Sequence, residues 1–208
     1  MTVADPPPSR WRPTPARLAR LIVGLTLFGI GEALLVASEL GNSPWTVLAE
    51  GLGKQTGLAV GTATIVVSVA VLLLWLPLRQ PPGLGTVMNA LGIGLAIDAT
   101  LALLPGSLPL GVRIALIPLG IATVGLGSGL YLTSRLGPGP RDGLMTGLHR
   151  RTGRSLRLMR ACVEVSAVAA GFALGGTVGL GTVAFALLIG PAVQAGVFAL
   201  GGRDTATF

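Results

Sequence analysis

The stretch LGNSPWTVLAEGLGKQTG, residues 40–57, returns at residues 136–153 as LGPGPRDGLMTGLHRRTG. The offset is 96 residues and needs no gap: Pro44 meets Pro140, Gly51-Leu52 meets Gly147-Leu148, and Thr56-Gly57 meets Thr152-Gly153. The same offset lays GLGTV at 83–87 on GLGTV at 179–183, Arg17 on Arg113, Gly24 on Gly120, and Gly29 and Gly31 on Gly125 and Gly127. Over residues 17–106 it yields 31 identities in 90 pairs. A chain rich in Gly, Leu and Ala would give about 10% by composition alone. A period this long marks a duplicated domain and not a solenoid.

What was duplicated follows from composition. Of the 208 residues, 51% are hydrophobic and 11% charged, against about 25% charged in soluble domains. The net charge is +7, but the basic residues flank apolar runs and line no soluble face, so no nucleic-acid partner is expected. Cys162 is the single cysteine and His149 the single histidine. No intrachain disulfide or Cys/His metal site can be assembled and no Ser-His-Asp arrangement is suggested, so neither an enzyme nor a cofactor is expected.

A membrane span needs about 20 mostly apolar residues. Six segments meet this: 18–39, 58–78, 84–105, 113–134, 156–176 and 180–201. The first apolar run is too long for the h-region of a signal peptide, so it reads as an uncleaved span. The segments 44–55 and 140–151 are too short to cross; each is a helix of roughly 18 Å, about half a bilayer. Both open on Pro and close near Thr-Gly, which suits a first helical turn and a glycine C-cap. They are either re-entrant or lie at the interface.

Basic residues prefer the cytoplasmic side. With the N-terminus inside, 13 of the 15 lie inside, and only Lys54 and Arg113 lie outside. Both termini are then cytoplasmic. The expected fold is all-α and polytopic: six transmembrane helices as two three-helix repeats, each with one short helix. Residues 1–16 form a disordered tail, 17–111 the first repeat, 112–202 the second and 203–208 a short tail. Three spans per repeat is odd, so the second copy enters from the opposite side, an inverted-topology repeat.

The blocks LGNSPWTVLAEGL, GLGT, LGPGPRDGLMTGL and the second GLGT resemble the YczE-like bacterial membrane proteins, distantly related to the YitT group. The resemblance covers residues 17–201, and GPRDG is its most specific part. It implies an integral protein of the bacterial cytoplasmic membrane from a poorly characterised family, with no established reaction or substrate.

Candidate site residues come from the helix ends and from charges within spans. If the short helices dip inward, Ser43-Pro44 and Gly139-Pro140 bring two N-termini toward the centre. A helix N-terminus carries roughly half a positive charge and free N–H groups. Arg141 and Asp142 replace Trp45 and Thr46 of the first copy. Arg141 either contacts a substrate or pairs locally with Asp142 or a lipid phosphate, while Asp142 complements the helix dipole. Three acids lie within spans, where ionisable groups are costly and often functional: Glu32, Asp98 and Glu164. Their repeat mates are Ser128, Gln194 and Ser68, all polar. Glu164 follows Arg160 by one turn and equally fits an ion pair. Asp98 is close enough to its span end to reach water. Glu32, between Gly31 and Ala33, is the best candidate for a proton or cation site, and Asn89 adds a polar group. GLGT lacks the Lys of a P-loop and reads as a span-entry turn. The leading expectation is a small-solute transporter or channel with a midplane site at the repeat interface, with proton coupling open. Its surroundings are the lipid bilayer, its ligand a small solute, and a homo-oligomer stays open. The alternative is a non-transporting protein that docks or regulates a partner through its basic cytoplasmic face.

Overall fold

Every apolar run forms a helix, and so does each short segment between them. The computed structural model describes residues 9–200, in which there are eight helices and no strand. They are α1 (Pro15–Ser38), α2 (Pro44–Thr56), α3 (Val60–Leu78), α4 (Leu84–Leu101), α5 (Leu110–Thr133), α6 (Pro140–Thr152), α7 (Leu156–Ala173) and α8 (Leu180–Ala199). Residues 1–8 of the expected first tail, and all of 203–208, lie outside the described residues. Thr14 caps α1, so the last two residues of the expected tail belong to the helix. Five helices, α1, α3, α4, α5 and α8, are long and apolar enough to cross a membrane. The fifth expected span forms α7, which is as long as α4 but carries Arg157, Arg160 and Glu164.

The two matched loops have the same backbone. Glu39 and Arg135 close α1 and α5 in the left-handed region, at φ 52° and 54°. Gly41 and Gly137 follow at φ 116° and 120°, a conformation that only glycine adopts without strain. Pro44 and Pro140 then start α2 and α6 at the first helical turn, and Gly57 and Gly153 end them at φ 76° and 68°.

The repeated motifs touch each other across the two halves. Gly181 N–H donates to the Leu40 carbonyl and Gly85 N–H to the Leu136 carbonyl, each at 2.8 Å. Each LGxxP loop thus seats on the entry turn of the opposite half's last helix. The arginine pair is exchanged in the same way. Arg17 Nε donates to the Ser134 carbonyl at 2.8 Å, and Arg113 Nε to the Ser38 carbonyl at 2.7 Å. These carbonyls end α5 and α1, where a helix has no partners of its own. A hydrogen bond from a charged donor is worth about 1.5–3 kcal/mol. Arg17→Ala and Arg113→Ala should therefore each lower the melting temperature of the detergent-purified protein. Lysine at 113 should recover only part, because Arg113 also pairs with Glu39 at 3.1 Å and a fork serves two acceptors better than a point charge. Melting unchanged by both alanine variants would refute this pairing.

At the centre α1 packs along α5, with α4 beside α1 and α8 beside α5. Glycines permit the close approach: a Cβ on Gly24 would lie 2.8 Å from the Gly127 carbonyl oxygen, and one on Gly120 2.8 Å from that of Gly31. Small residues bring membrane helices together in this way. The short helices cross over, α2 onto α7 and α6 onto α3. Here the two halves solve one packing problem in different ways. Trp75 of α3 lies on Gly143 of α6, whereas its mate Gly171 of α7 lies on the α2 backbone at Val47 and Leu48.

One contact is not duplicated. α3 packs on α4 through Gly61 and Gly94, but α7 and α8 form no equivalent pair. Arg157 occupies the place of Gly61, and a long side chain there cannot fit against a helix backbone. As a result Ala186, Gly190 and Gln194 of α8 are exposed, although Ala90 and Gly94 of α4 are buried.

Candidate functional site

The N-termini of α2 and α6 both end among the long helices, with Ser43, Pro44 and Pro140 buried. The extended Ser43 caps α2, yet its hydroxyl makes no cap bond. It donates instead to Glu32 Oε2 at 2.7 Å, and Thr46 Oγ1 donates to the same oxygen at 2.8 Å. Glu32 itself is only 2% exposed. A buried carboxylate needs such donors, since desolvation strongly disfavours the charge.

From the other half, Gly139 caps α6 and Arg141 and Asp142 follow Pro140 in its first turn. The Arg141 guanidinium lies 4.9 Å from the centre of the Phe28 ring. Phe28 sits near the middle of α1, so Arg141 points inward and not to a helix end. The Asp142 carboxylate accepts from the Tyr131 hydroxyl, and Gly139 N–H donates to the same hydroxyl at 3.3 Å. Of the two readings of Arg141, the local pair with Asp142 is not formed, because Asp142 is engaged with Tyr131.

Between α2, α3, α4 and α6 lies a cavity of about 60 Å³. At 10–15 Å³ per water this holds roughly four to six waters. Its polar lining is Trp45, Thr64, Ser68, Asn89 and Arg141, and its apolar walls include Val71 and Ile93. Trp45 and Arg141 are repeat mates, so the two halves contribute equivalent positions to one cavity. Gly139 leaves room for Asn89, since a Cβ on it would lie 3.0 Å from Asn89 Nδ2.

Glu32, Ser43, Trp45, Asn89, Gly139, Arg141 and Asp142 are thus brought together around this cavity. Asp98, Glu164 and Gln194 are not. Asp98 accepts from the Gly61 and Thr62 N–H groups at 2.6 and 2.9 Å and from the Thr62 hydroxyl at 2.9 Å. It caps the first turn of α3, where an acid suits the helix dipole, and is part-exposed there. Glu164 pairs with Arg160 at 3.0 Å on α7. Gln194 lies on the open face of α8, which Arg157 keeps apart from α7. Tyr131, Phe28, Thr46 and Ser68 complete the site and were not singled out as members, though Ser68 and Thr46 are the mates of Glu164 and Asp142.

A second polar cluster closes the far end of α2. Glu50 binds Lys54 at 2.7 Å, Asn42 Nδ2 at 2.7 Å, and the Thr177 N–H and hydroxyl at 2.7 Å each. Burial alone would raise the Glu50 carboxyl, but Lys54 and Thr177 outweigh it and hold it below the ordinary carboxylate range. The cluster fastens α2 to the α7–α8 loop. In the other half Arg151 donates to the Pro77 carbonyl at 2.8 Å, fastening α6 to α3.

Fold and site together define a polytopic, all-helical membrane protein with a small polar cavity between intertwined halves. The chain belongs to the family of unknown function DUF6198, whose profile matches residues 15–196. It is 42% identical over 186 residues to an uncharacterized protein of Haemophilus influenzae, covering 89% of this chain and 85% of that one. It is 32% identical over 169 residues to the uncharacterized membrane protein YczE of Bacillus subtilis, covering 80% and 79% respectively. A third relative, the uncharacterized protein YyaS of Bacillus subtilis, is 27% identical over 164 residues. No solved structure matches the chain.

Proposed function

We propose that this protein is a small-solute transporter or channel of the bacterial cytoplasmic membrane, built from two inverted three-span repeats with both termini cytoplasmic. The observation that carries the reading is the convergence of the α2 and α6 N-termini, one from each half, on a polar cavity beside the buried Glu32. Transporters of inverted-repeat design place substrate and coupling ion at such helix ends. The exchanged contacts of Arg17 and Arg113, and of Gly85 and Gly181, support a two-fold relation between the halves. With three spans in each half, including α7, that axis lies in the membrane plane. α2 and α6 are then re-entrant helices, and Glu32 is the group that would carry a coupled proton.

The alternative, a docking role for the basic face, is less well supported, because Arg151 is engaged with α3. Neither Lys54 nor Arg113 breaks the charge asymmetry, since each is tied to an acid, Glu50 and Glu39.

The orientation is tested by single cysteines at Gln55 and Arg151 in a variant lacking Cys162. An impermeant thiol reagent applied to intact cells should label the first and not the second. Labelling of both from outside would refute the inverted repeat. Activity is tested by reconstituting the protein in proteoliposomes and measuring uptake over a panel of small anions, cations and neutral solutes. Uptake equal to that of empty vesicles for the whole panel would refute transport.

A further inference from the structure

We infer that the solute is a small carboxylate anion, held by Arg141 and Asn89 against the Trp45 ring; this rests on the transporter reading and names its substrate class. The cavity is lined by donors that lack acceptors. Asn89 is only 8% exposed, faces the cavity, and its amide takes part in none of the side-chain hydrogen bonds among the described residues. The Trp45 indole forms part of the wall of the same space, with its N–H buried away from it and without a partner. Arg141 takes part in none of the ion pairs among the described residues, which are Lys54–Glu50, Arg113–Glu39 and Arg160–Glu164. A cavity faced by an amide and a guanidinium with no side-chain partner suits an acceptor.

The missing partner is an acceptor, and its charge follows from the groups nearby. No acid lines the cavity. Glu32 is turned to Ser43 and Thr46, and Asp142 to Tyr131. Arg141 lies in the first turn of α6, so its positive charge adds to the partial charge of a helix N-terminus. A guanidinium fork matches the two oxygens of a carboxylate, and the Asn89 amide can donate from the side. Val71 and Ile93 offer an apolar wall to a methyl or methylene group. The volume of about 60 Å³ limits the ligand to a few heavy atoms. Because Glu32 and Asp142 stand behind Arg141, an anion enters at a lower electrostatic cost when a proton comes with it.

The experiment uses the purified full chain in lipid nanodiscs. Tryptophan fluorescence is followed during titration with acetate, with neutral acetamide of the same shape, and with methylammonium. Acetate should give a saturable change, and acetamide and methylammonium should not. The change should vanish in Trp45→Phe, since Trp11 and Trp75 are outside the cavity. Affinity for acetate should fall about tenfold or more in Arg141→Gln and in Asn89→Leu, and Arg141→Lys should recover part of it. Thermal melting checks that each variant is folded. Saturation by acetamide or methylammonium, survival of the signal in Trp45→Phe, or undiminished affinity in Arg141→Gln would each overturn the inference. Acetate binding without flux in vesicles would leave the anion site standing and remove the transporter. Flux of a cation or neutral solute without acetate binding would do the reverse.

Discussion

On the transporter proposal, replacing Glu32 with Gln should cut solute uptake in proteoliposomes by roughly tenfold to a hundredfold, in the range of a lost proton-transfer group, with the folded yield unchanged. The side chain keeps its shape, and one amide oxygen can still accept from both the Ser43 and Thr46 hydroxyls, which now share Oε2 at 2.7 and 2.8 Å. What is lost is the ability to take up and release a proton beside the cavity. The pH profile of uptake separates this role from a structural one. Wild-type uptake should vary with pH, and the residual uptake of Glu32→Gln should not. Glu32→Asp should restore the pH dependence, at reduced rate, because the carboxylate withdraws by one methylene. If Glu32→Gln transports as wild type with the same pH profile, Glu32 only braces α1 against α2. A variant that fails to fold while Glu32→Asp behaves as wild type would also assign it that bracing role.

The duplication was legible because the 96-residue offset survives in 31 of 90 pairs. It showed the short helices, their Pro starts and glycine ends, and the likeness of Trp45 to Arg141. Correspondence, however, does not reveal contact. That LGNSP meets the second GLGTV, and LGPGP the first, depends on the halves being interleaved, which periodicity cannot express. The fate of each acid depended on the same missing information. Glu32 and Asp98 look alike in sequence, each a lone acid within an apolar run. Only the neighbouring helix distinguishes them: α2 brings hydroxyls to Glu32, and the start of α3 brings N–H groups to Asp98. Glu164 was readable as an ion pair from its spacing to Arg160, because that partner is on the same helix. Tyr131 gave no signal, since an aromatic near a span end usually marks the membrane interface. The separation of α7 from α8 was visible only in retrospect, as Arg157 standing where the first half has Gly61.

The largest stability effect is expected at Gly143, where any side chain must displace an indole. A Cβ built there collides with Cζ2, Cη2 and Cε2 of the Trp75 ring, and Trp75 cannot move aside, because it is 3% exposed and its Nε1–H donates to the Pro140 carbonyl at 2.9 Å. Overpacking usually costs about 1–3 kcal/mol when neighbours can shift; here they cannot, and Gly143→Val should abolish folded protein. The other half makes the matching contact without a ring: Gly171 on α7, the mate of Trp75, meets the α2 backbone at Leu48 and at Val47, the mate of Gly143. Gly143→Val combined with Trp75→Gly copies that arrangement onto α6 and α3. The double variant should therefore be recovered as folded, monodisperse protein, although less stable than wild type by the lost indole packing and its hydrogen bond. Trp75→Gly alone leaves the space empty, and removal of a buried Trp costs about 3–5 kcal/mol. The two changes must then be strongly non-additive, as contacting positions are. Fluorescence-detected size exclusion of the two single variants and the double decides the matter. A folded Gly143→Val single variant would contradict the packing of α3 on α6. A double variant no better than the worse single one would show that the halves, though duplicated, no longer share one solution to the contact between a short helix and its long neighbour.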